Sequence, residues 1–131
     1  MNETKEYTVE LQQLFIEFLA QDKDLFLRVN NIVEASYFDR TLRKTVVFLQ
    51  EHVASYGALP TPEQIIALTG IKLAGISDTI DDRHKSWFID EFEGFCKHKA
   101  LEAAILQSAD LVEKGEFGEV ERIIKEAVQV G

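Results

Sequence analysis

The chain has 131 residues, a net charge of −9 and a hydrophobic share of 46% that includes nine Phe. This length suits one domain with a substantial core. The acidic balance argues against strong direct binding to nucleic acid, which needs clustered Lys and Arg. The single cysteine, Cys96, excludes an intramolecular disulfide and is typical of a small buried residue in a reducing compartment. No apolar run is long enough to span a membrane, and the N-terminus lacks a signal-peptide pattern, so the sequence predicts a cytoplasmic protein, in the host cytoplasm if it is viral.

Two short amphipathic helices are predicted at the start of the chain. Thr8 is predicted to cap a helix that begins at Val9, and Asp22 or Asp24 to cap a second one, because such side chains accept hydrogen bonds from the first helical turn. Spacings of three and four residues place the apolar side chains on one face of each helix. These apolar residues are Leu11, Leu14, Phe15, Phe18 and Leu19, followed by Leu25, Phe26 and Val29.

A third helix is predicted over residues 40–56, with Ser36 or Asp39 as its cap and Gly57 at its end. Its apolar stripe consists of Leu42, Val46, Leu49 and Val53. The stripe predicts that one side of this helix faces the core.

A fourth, short helix has a clear start signal. Thr61 supplies a capping hydroxyl, Pro62 occupies the first helical position, and the Gln64 side chain can reach back to the cap. Gly70 is predicted to end this helix. The following residues, 71–82, fit either a short helix or a loop.

Residues 86–130 read as a long helix, a tight turn and a shorter helix that folds back. Gly115 follows Lys114 at the turn, since glycine tolerates the left-handed conformation and a cation complements the end of a helix. One predicted apolar row of the long helix contains Phe88, Phe92 and Phe95 and continues through Lys99, Ala103 and Leu106. A second row contains Leu101, Ile105 and Val112, and the return helix carries Phe117, Val120, Ile124, Ala127 and Val128. Two rows predict that the long helix buries more than one side.

Gly94 lies in the middle of the predicted long helix, where glycine costs about 1 kcal/mol relative to alanine. It predicts either that another backbone approaches closely at this point or that the helix bends.

The sequence therefore predicts an all-α protein. A compact head of five to six short helices occupies residues 1–82, and an antiparallel hairpin of a long and a short helix occupies residues 83–131. Together they form one structural domain. Because two helices cannot bury several apolar faces between themselves, part of the hairpin is predicted to face another subunit or another protein.

Motifs of catalysis are missing from the sequence. It has no Walker-type phosphate loop. Cys96 and His98 are two residues apart on a helix, so they point in different directions and do not form a nucleophile and its base. A zinc site needs about four convergent ligands, and no such spacing occurs. The sequence predicts a noncatalytic chain with no cofactor and no metal.

Three stretches carry a resemblance to a known family. The first is Tyr37-Phe38 before the amphipathic helix of residues 42–53, and the second is YGALPT at residues 56–61 leading into Ile65-Ile66. The third is SWF at residues 86–88, followed by the hairpin. In this order they resemble the N-terminal domain of DnaB-type replicative DNA helicases, particularly those of T4-like phages, over nearly the whole chain.

The resemblance implies a role in the primosome during DNA replication. In that family the domain precedes a RecA-like motor that uses ATP and Mg, and neither the motor nor its Walker motifs occur in these 131 residues. Hairpins of neighbouring subunits pair into a trimer-of-dimers collar on a hexameric ring. Primase docks on the collar, and a helicase loader can also act on the ring. Assembly and docking are the functions implied for this chain.

Two sets of hairpin residues are predicted to make contacts. Subunit pairing is assigned to Leu101, Ile105, Val112, Phe117, Val120, Ile124 and Val128. Partner contacts are assigned to Glu102, Gln107, Asp110, Glu113 and Lys114. The alternative is a stand-alone helical adaptor protein of a phage, which predicts a monomer with an exposed apolar groove.

Overall fold

A computed structural model describes residues 6–75 and 80–131, and no strand occurs within these ranges. The predicted all-α architecture is confirmed. The chain forms two compact units, Met1–Phe88 and Ile89–Gly131. The sequence had placed the division between residues 82 and 83, whereas the structure places it inside the long helix.

Within the described residues, the first unit contains four short α-helices, three single turns of 3-10 helix and the start of the long helix. The α-helices are α1 (Val9–Gln21), α2 (Lys23–Val29), α3 (Arg43–Tyr56) and α4 (Pro62–Thr69). The 3-10 turns are Asn30–Ile32, Ala35–Tyr37 and Arg40–Leu42. The predicted head of short helices is therefore present, with its connectors wound into helical turns.

Short polar side chains start these helices. Thr8 caps α1 and Asp22 caps α2, each by accepting a hydrogen bond from the backbone N–H three residues further on. Of the two candidate caps for the third helix, the structure uses Asp39. Its carboxylate caps the 3-10 turn Arg40–Leu42, so α3 itself begins at Arg43 rather than at residue 40.

The predicted capping box of α4 is confirmed. The Gln64 N–H donates to the Thr61 hydroxyl at 3.2 Å, and the Gln64 side-chain oxygen accepts from the Thr61 N–H at 2.8 Å. Gly57 ends α3 with a φ of 66° and Gly70 ends α4 with a φ of 74°. Both glycines thus occupy the left-handed region that other residues rarely adopt.

Residues 71–75, which follow α4, form no helix. Their backbone is fixed by a side chain of α1, because the Glu17 carboxylate accepts a hydrogen bond from the Ala74 N–H at 2.8 Å. The prediction for residues 71–82 lies partly outside the described residues, which omit 76–79.

Aromatic rings form the centre of the core of the first unit. The Phe88 ring is fully buried and lies edge-on to Phe15, with 5.9 Å between ring centroids, and stacks on Phe18 at 5.1 Å. The Trp87 ring also contacts Phe18, with 5.8 Å between ring centroids, and keeps 39% of its surface exposed. The hydrophobic effect and these ring pairs hold the start of the long helix in the core.

Thr45 on α3 is a buried polar residue without a hydrogen-bond partner among the residues that the structure describes. It is fully buried, and within 6–75 and 80–131 its hydroxyl oxygen makes no hydrogen bond. A buried hydroxyl without a partner costs about 1–3 kcal/mol. We expect Thr45→Val, which keeps the shape of the side chain, to raise the free energy of unfolding by about 1 kcal/mol in a urea titration. A loss of stability would show that the hydroxyl is satisfied in solution.

The second unit consists of most of α5 (Asp82–Glu113) and all of α6 (Phe117–Val128). α5 has 32 residues and is therefore about 48 Å long. Asp81 caps it, since its carboxylate accepts from the His84 N–H at 2.9 Å. The predicted turn is confirmed, with Gly115 at a φ of 72°.

Substitution by alanine is expected to have opposite effects on stability at the two glycines near the turn, Gly115 and Gly118. An added Cβ meets nothing within 4 Å at either Gly115 or Gly118. Gly115→Ala is expected to destabilise the hairpin by about 1–2 kcal/mol, because its positive φ strains an L-residue. Gly118→Ala in the first turn of α6 is expected to stabilise it by up to about 1 kcal/mol, because alanine favours the helix. Thermal unfolding followed by circular dichroism measures both, and equal signs would contradict the assigned backbone conformations.

Candidate functional site

The hairpin of α5 and α6 has a small core of its own. Ala104 on α5 packs with Ile123 and Ala127 on α6, and all three are buried. Partly buried residues surround them, namely Ala100, Leu101, Leu111 and Ile124. Small side chains at the centre allow the two helices to approach closely, and they leave little apolar area inside the hairpin.

The position of this core corrects the prediction that one apolar row of α5 runs from Phe88 to Leu106. Phe92 and Phe95 are fully buried as expected, with 6.1 Å between their ring centroids. However, the row was wrongly extended through Ala103 and Leu106, which are exposed, Leu106 by 71%. The helix instead turns Ala104 and Ser108 towards α6, and the Ser108 hydroxyl donates to the Ala104 carbonyl at 2.6 Å. At about 100° per residue this row keeps to one side of α5, whereas Ala104 lies about 160° around the axis from Phe88. The buried side changes along α5 because α6 packs against the side of Ala104 and Ser108.

Most residues predicted for subunit pairing are apolar and exposed to solvent. Ile105 is 61% exposed and Phe117 is 66% exposed, and about half of the surface of Val112 and Val128 is also exposed. Leu101 and Ile124 lie at the edge of the hairpin core, and Val120 is half-buried. The exposure of the predicted residues thus ranges from half-buried to mostly exposed. Leu101 and Ile124 also contact the hairpin core.

Helical geometry places these residues on one side of the hairpin. At about 100° per residue, Ile105 and Val112 lie within about 40° of Leu101 around α5, and Ile124 and Val128 within about 20° of Phe117 around α6. Around the axis of α5, its row lies about 80° from the core residue Ala104. Around the axis of α6, its row lies about 80° from the core residue Ala127, in the same sense of rotation when each helix is viewed from its N-terminus. Since the helices run antiparallel, equal rotations bring both rows to the same side. Val120 lies about 60° from Phe117 and about 20° from Ala127, at the edge between this side and the hairpin core. We call this side, including Val120 at its edge, the apolar face; its residues are Leu101, Ile105, Val112, Phe117, Val120, Ile124 and Val128.

The opposite side of the hairpin is polar. On α6, the Arg122 guanidinium donates to the carboxylates of Glu119 and Glu126, the latter at 2.9 Å. The hydrogen bond from Arg122 lowers the pKa of Glu119, and the two carboxylates raise the pKa of Arg122. Ion pairs of this kind are typical of a solvent-exposed surface, so the hairpin has one polar side and one apolar side.

The five polar residues predicted to contact a partner are all exposed. The Glu102 carboxylate also lies 3.4 Å from the His98 imidazole and forms an ion pair with Lys99 at 3.7 Å. Gln107 and Asp110 lie on the polar side of α5, whereas Glu102 borders the apolar face. They therefore do not form one patch.

Sequence reasoning missed a groove in the first unit. It lies between α3 and α4, has a volume of about 390 Å³ and is lined by Phe48, His52, Tyr56, Gln64 and Leu68. The rings of Phe48, His52 and Tyr56 lie in a row along α3, tilted by 59° and 49° to one another, with centroid separations of 5.6 Å and 4.7 Å. Aromatic residues four apart were the available signal, and the exposure of Tyr56 and Leu68 became visible only in the structure.

Among residues 6–75 and 80–131, no group of three or more His, Cys, Asp or Glu side chains is placed to hold a metal ion. No helix in these ranges is both long and apolar enough to cross a membrane. Comparison of the chain with protein-family models, curated proteins and solved structures gives no match.

Proposed function

We propose that this chain is the noncatalytic assembly and docking domain of a DnaB-type replicative DNA helicase, working in the cytoplasm, or in the host cytoplasm if a phage encodes it. The apolar face of its hairpin pairs with the same face of a second copy. The observation that carries the proposal is this face, on which Ile105, Val112, Phe117 and Val128 are at least half exposed. Contiguous exposed apolar surface bordered by polar residues marks protein interaction sites.

A second copy of the chain is the simplest occupant of the apolar face. A two-fold axis brings identical patches together, so a patch that is apolar throughout is complementary to itself. The resemblance to DnaB-type domains, whose hairpins pair between subunits, supports the same choice. Further pairing builds the collar of a hexameric ring, and ATP and Mg act only in the motor domain of such helicases.

The exposed polar residues supply the docking part of the proposal. Gln107 and Asp110 on the polar side remain accessible when the apolar faces pair. We assign primase docking to them first, together with Lys114, which follows α5 on the same side, and then to Glu102 and Glu113 at the border of the paired surface. A helicase loader is a second candidate partner for these residues.

The mass of the chain in solution tests the pairing. We expect sedimentation equilibrium to show a monomer–dimer or higher equilibrium over a micromolar to millimolar concentration series. Because each copy carries a charge of −9, salt screens the repulsion between copies, so association through the apolar face is expected to strengthen from low to high salt. A constant monomer mass, or association that salt abolishes, would count against the proposal.

The groove of Phe48, His52, Tyr56, Gln64 and Leu68 favours a second candidate function. A stand-alone phage adaptor could use such an exposed aromatic groove to bind a host protein while remaining monomeric. The same mass measurement separates the two functions, since the adaptor predicts a monomer at every concentration.

A further inference from the structure

The first unit contains a cavity that self-association does not use. It lies between α1, α4 and residues 73–75, and its volume is about 240 Å³. Apolar groups of Ala20, Pro62, Ile65 and Leu73 form most of its wall, and Glu17 and Gln21 of α1 supply the polar part. A mostly apolar cavity with few polar groups is the usual form of a small-ligand site.

Glu17 is the unusual member of this wall. Its side chain lines the cavity although the residue is only 7% exposed. The only hydrogen bond that the described residues give this carboxylate is the one from the Ala74 N–H, and no Lys or Arg among them forms an ion pair with it. A carboxylate can accept about four hydrogen bonds, and burying its charge without a counterion is unfavourable. Glu17 therefore retains the capacity to bind a cationic donor.

We propose that this cavity binds an alkylammonium group, with the ammonium on the Glu17 carboxylate and the aliphatic chain against Ala20, Ile65 and Leu73. An ammonium is a compact point charge that needs only one carboxylate oxygen, whereas a guanidinium binds best to two, and Ala74 already occupies one of them. Anionic ligands are repelled by Glu17 and by the net charge of −9, which attracts cations instead.

Two sources can supply this chemistry, a small free amine or the side chain of a lysine in a partner protein. Three probes separate the possibilities: n-butylammonium, N-acetyl-lysine methylamide and the uncharged n-butanol. NMR shifts of the Ala74 amide and of the Ile65 and Leu73 methyl groups report binding in the cavity. We expect saturable shifts with at least one ammonium probe. We expect n-butanol to bind at least about tenfold more weakly, because it lacks the charged hydrogen bond to Glu17, and losing such a bond raises Kd by at least that factor.

Glu17→Gln tests the carboxylate directly. Its side-chain oxygen can still accept from the Ala74 N–H, so the fold is expected to persist, and ammonium binding is expected to weaken at least about tenfold. Glu10→Gln is the matched control, because Glu10 lies on the same helix, is exposed and does not line the cavity. Ala20→Leu fills the cavity with the carboxylate unchanged, and it serves as the second test if Glu17→Gln unfolds.

Each result decides for or against the site. Binding of n-butylammonium alone supports a small-amine ligand, and binding of the lysine derivative supports a lysine of a partner. Equal affinities of the wild type, Glu17→Gln and Ala20→Leu would overturn the proposal. So would equal binding of n-butanol, or a lack of saturable shifts at Ala74, Ile65 and Leu73 with both ammonium probes.

Discussion

Ile105→Glu is expected to weaken self-association by about two orders of magnitude while the hairpin stays folded. Ile105 is 61% exposed within one chain, so the new carboxylate remains in water in the monomer. In the paired state it enters an apolar surface, where the lost burial of isoleucine and the desolvation of the charge together cost about 3 kcal/mol, or roughly 150-fold in Kd. Sedimentation equilibrium measures the dissociation constant, and circular dichroism reports the helix content.

Gln107→Glu is the matched control for Ile105→Glu. It adds the same charge to the same helix, about 200° away around the helix axis and therefore on the polar side. Its dissociation constant is expected to stay within about twofold of the wild type, as surface substitutions usually change free energies by less than about 0.5 kcal/mol. If Ile105→Glu left the mass distribution unchanged, the apolar face would not be the pairing surface.

Phe88→Ala is expected to produce the largest loss of stability among substitutions in the first unit. Phe88 is fully buried and contacts the rings of Phe15 and Phe18. Truncating a buried phenylalanine costs about 3–5 kcal/mol through lost burial and the cavity that remains. This is a large part of the roughly 5–15 kcal/mol that stabilises a typical domain. Urea unfolding followed by circular dichroism and by Trp87 fluorescence measures the loss.

Leu106→Ala provides the comparison on the same helix. Leu106 is 71% exposed, so its truncation is expected to change the free energy of unfolding by no more than about 0.5 kcal/mol. A cost of less than about 1 kcal/mol for Phe88→Ala would show that the ring group is not the centre of the core.

Local signals along the chain were sufficient to predict most helix ends. Thr8, Asp22 and Thr61 start helices where their side chains satisfy free backbone N–H groups, and Gly57 and Gly70 end them by adopting positive φ. Each such signal acts within about one turn of helix, so it can be read without knowing the tertiary structure.

Long-range packing limited the prediction elsewhere. Asp39, whose N–H donates to the Gln12 side-chain oxygen of α1 at 2.6 Å, caps a 3-10 turn instead of the third helix itself, and the division between the two units lies inside α5. At Gly94 the sequence left open whether another backbone approaches or the helix bends. Gly131 lies beside the preceding residue of α5, where an added Cβ on Gly131 would be 3.9 Å from the carbonyl oxygen of Glu93. Such contacts join residues far apart in sequence, so no local pattern contains them.

The candidate site combines both kinds of information. The seven residues of the apolar face were identified from their spacing, because helical periodicity alone determines which residues share a side of a helix. The spacing did not show which of them the hairpin itself covers.

By itself, the sequence determined the all-α class, the capped helix starts and the glycine turns, since all of these depend on interactions within a few residues, and from helical periodicity it predicted the residues of the apolar face. Only the tertiary structure decided that Ala104, Ile123 and Ala127 form the hairpin core, that Leu106 faces solvent, and that the buried Glu17 lines a cavity beside Ala74. The physical reason is that burial depends on which distant segments approach a side chain, and the identity of that side chain does not specify them.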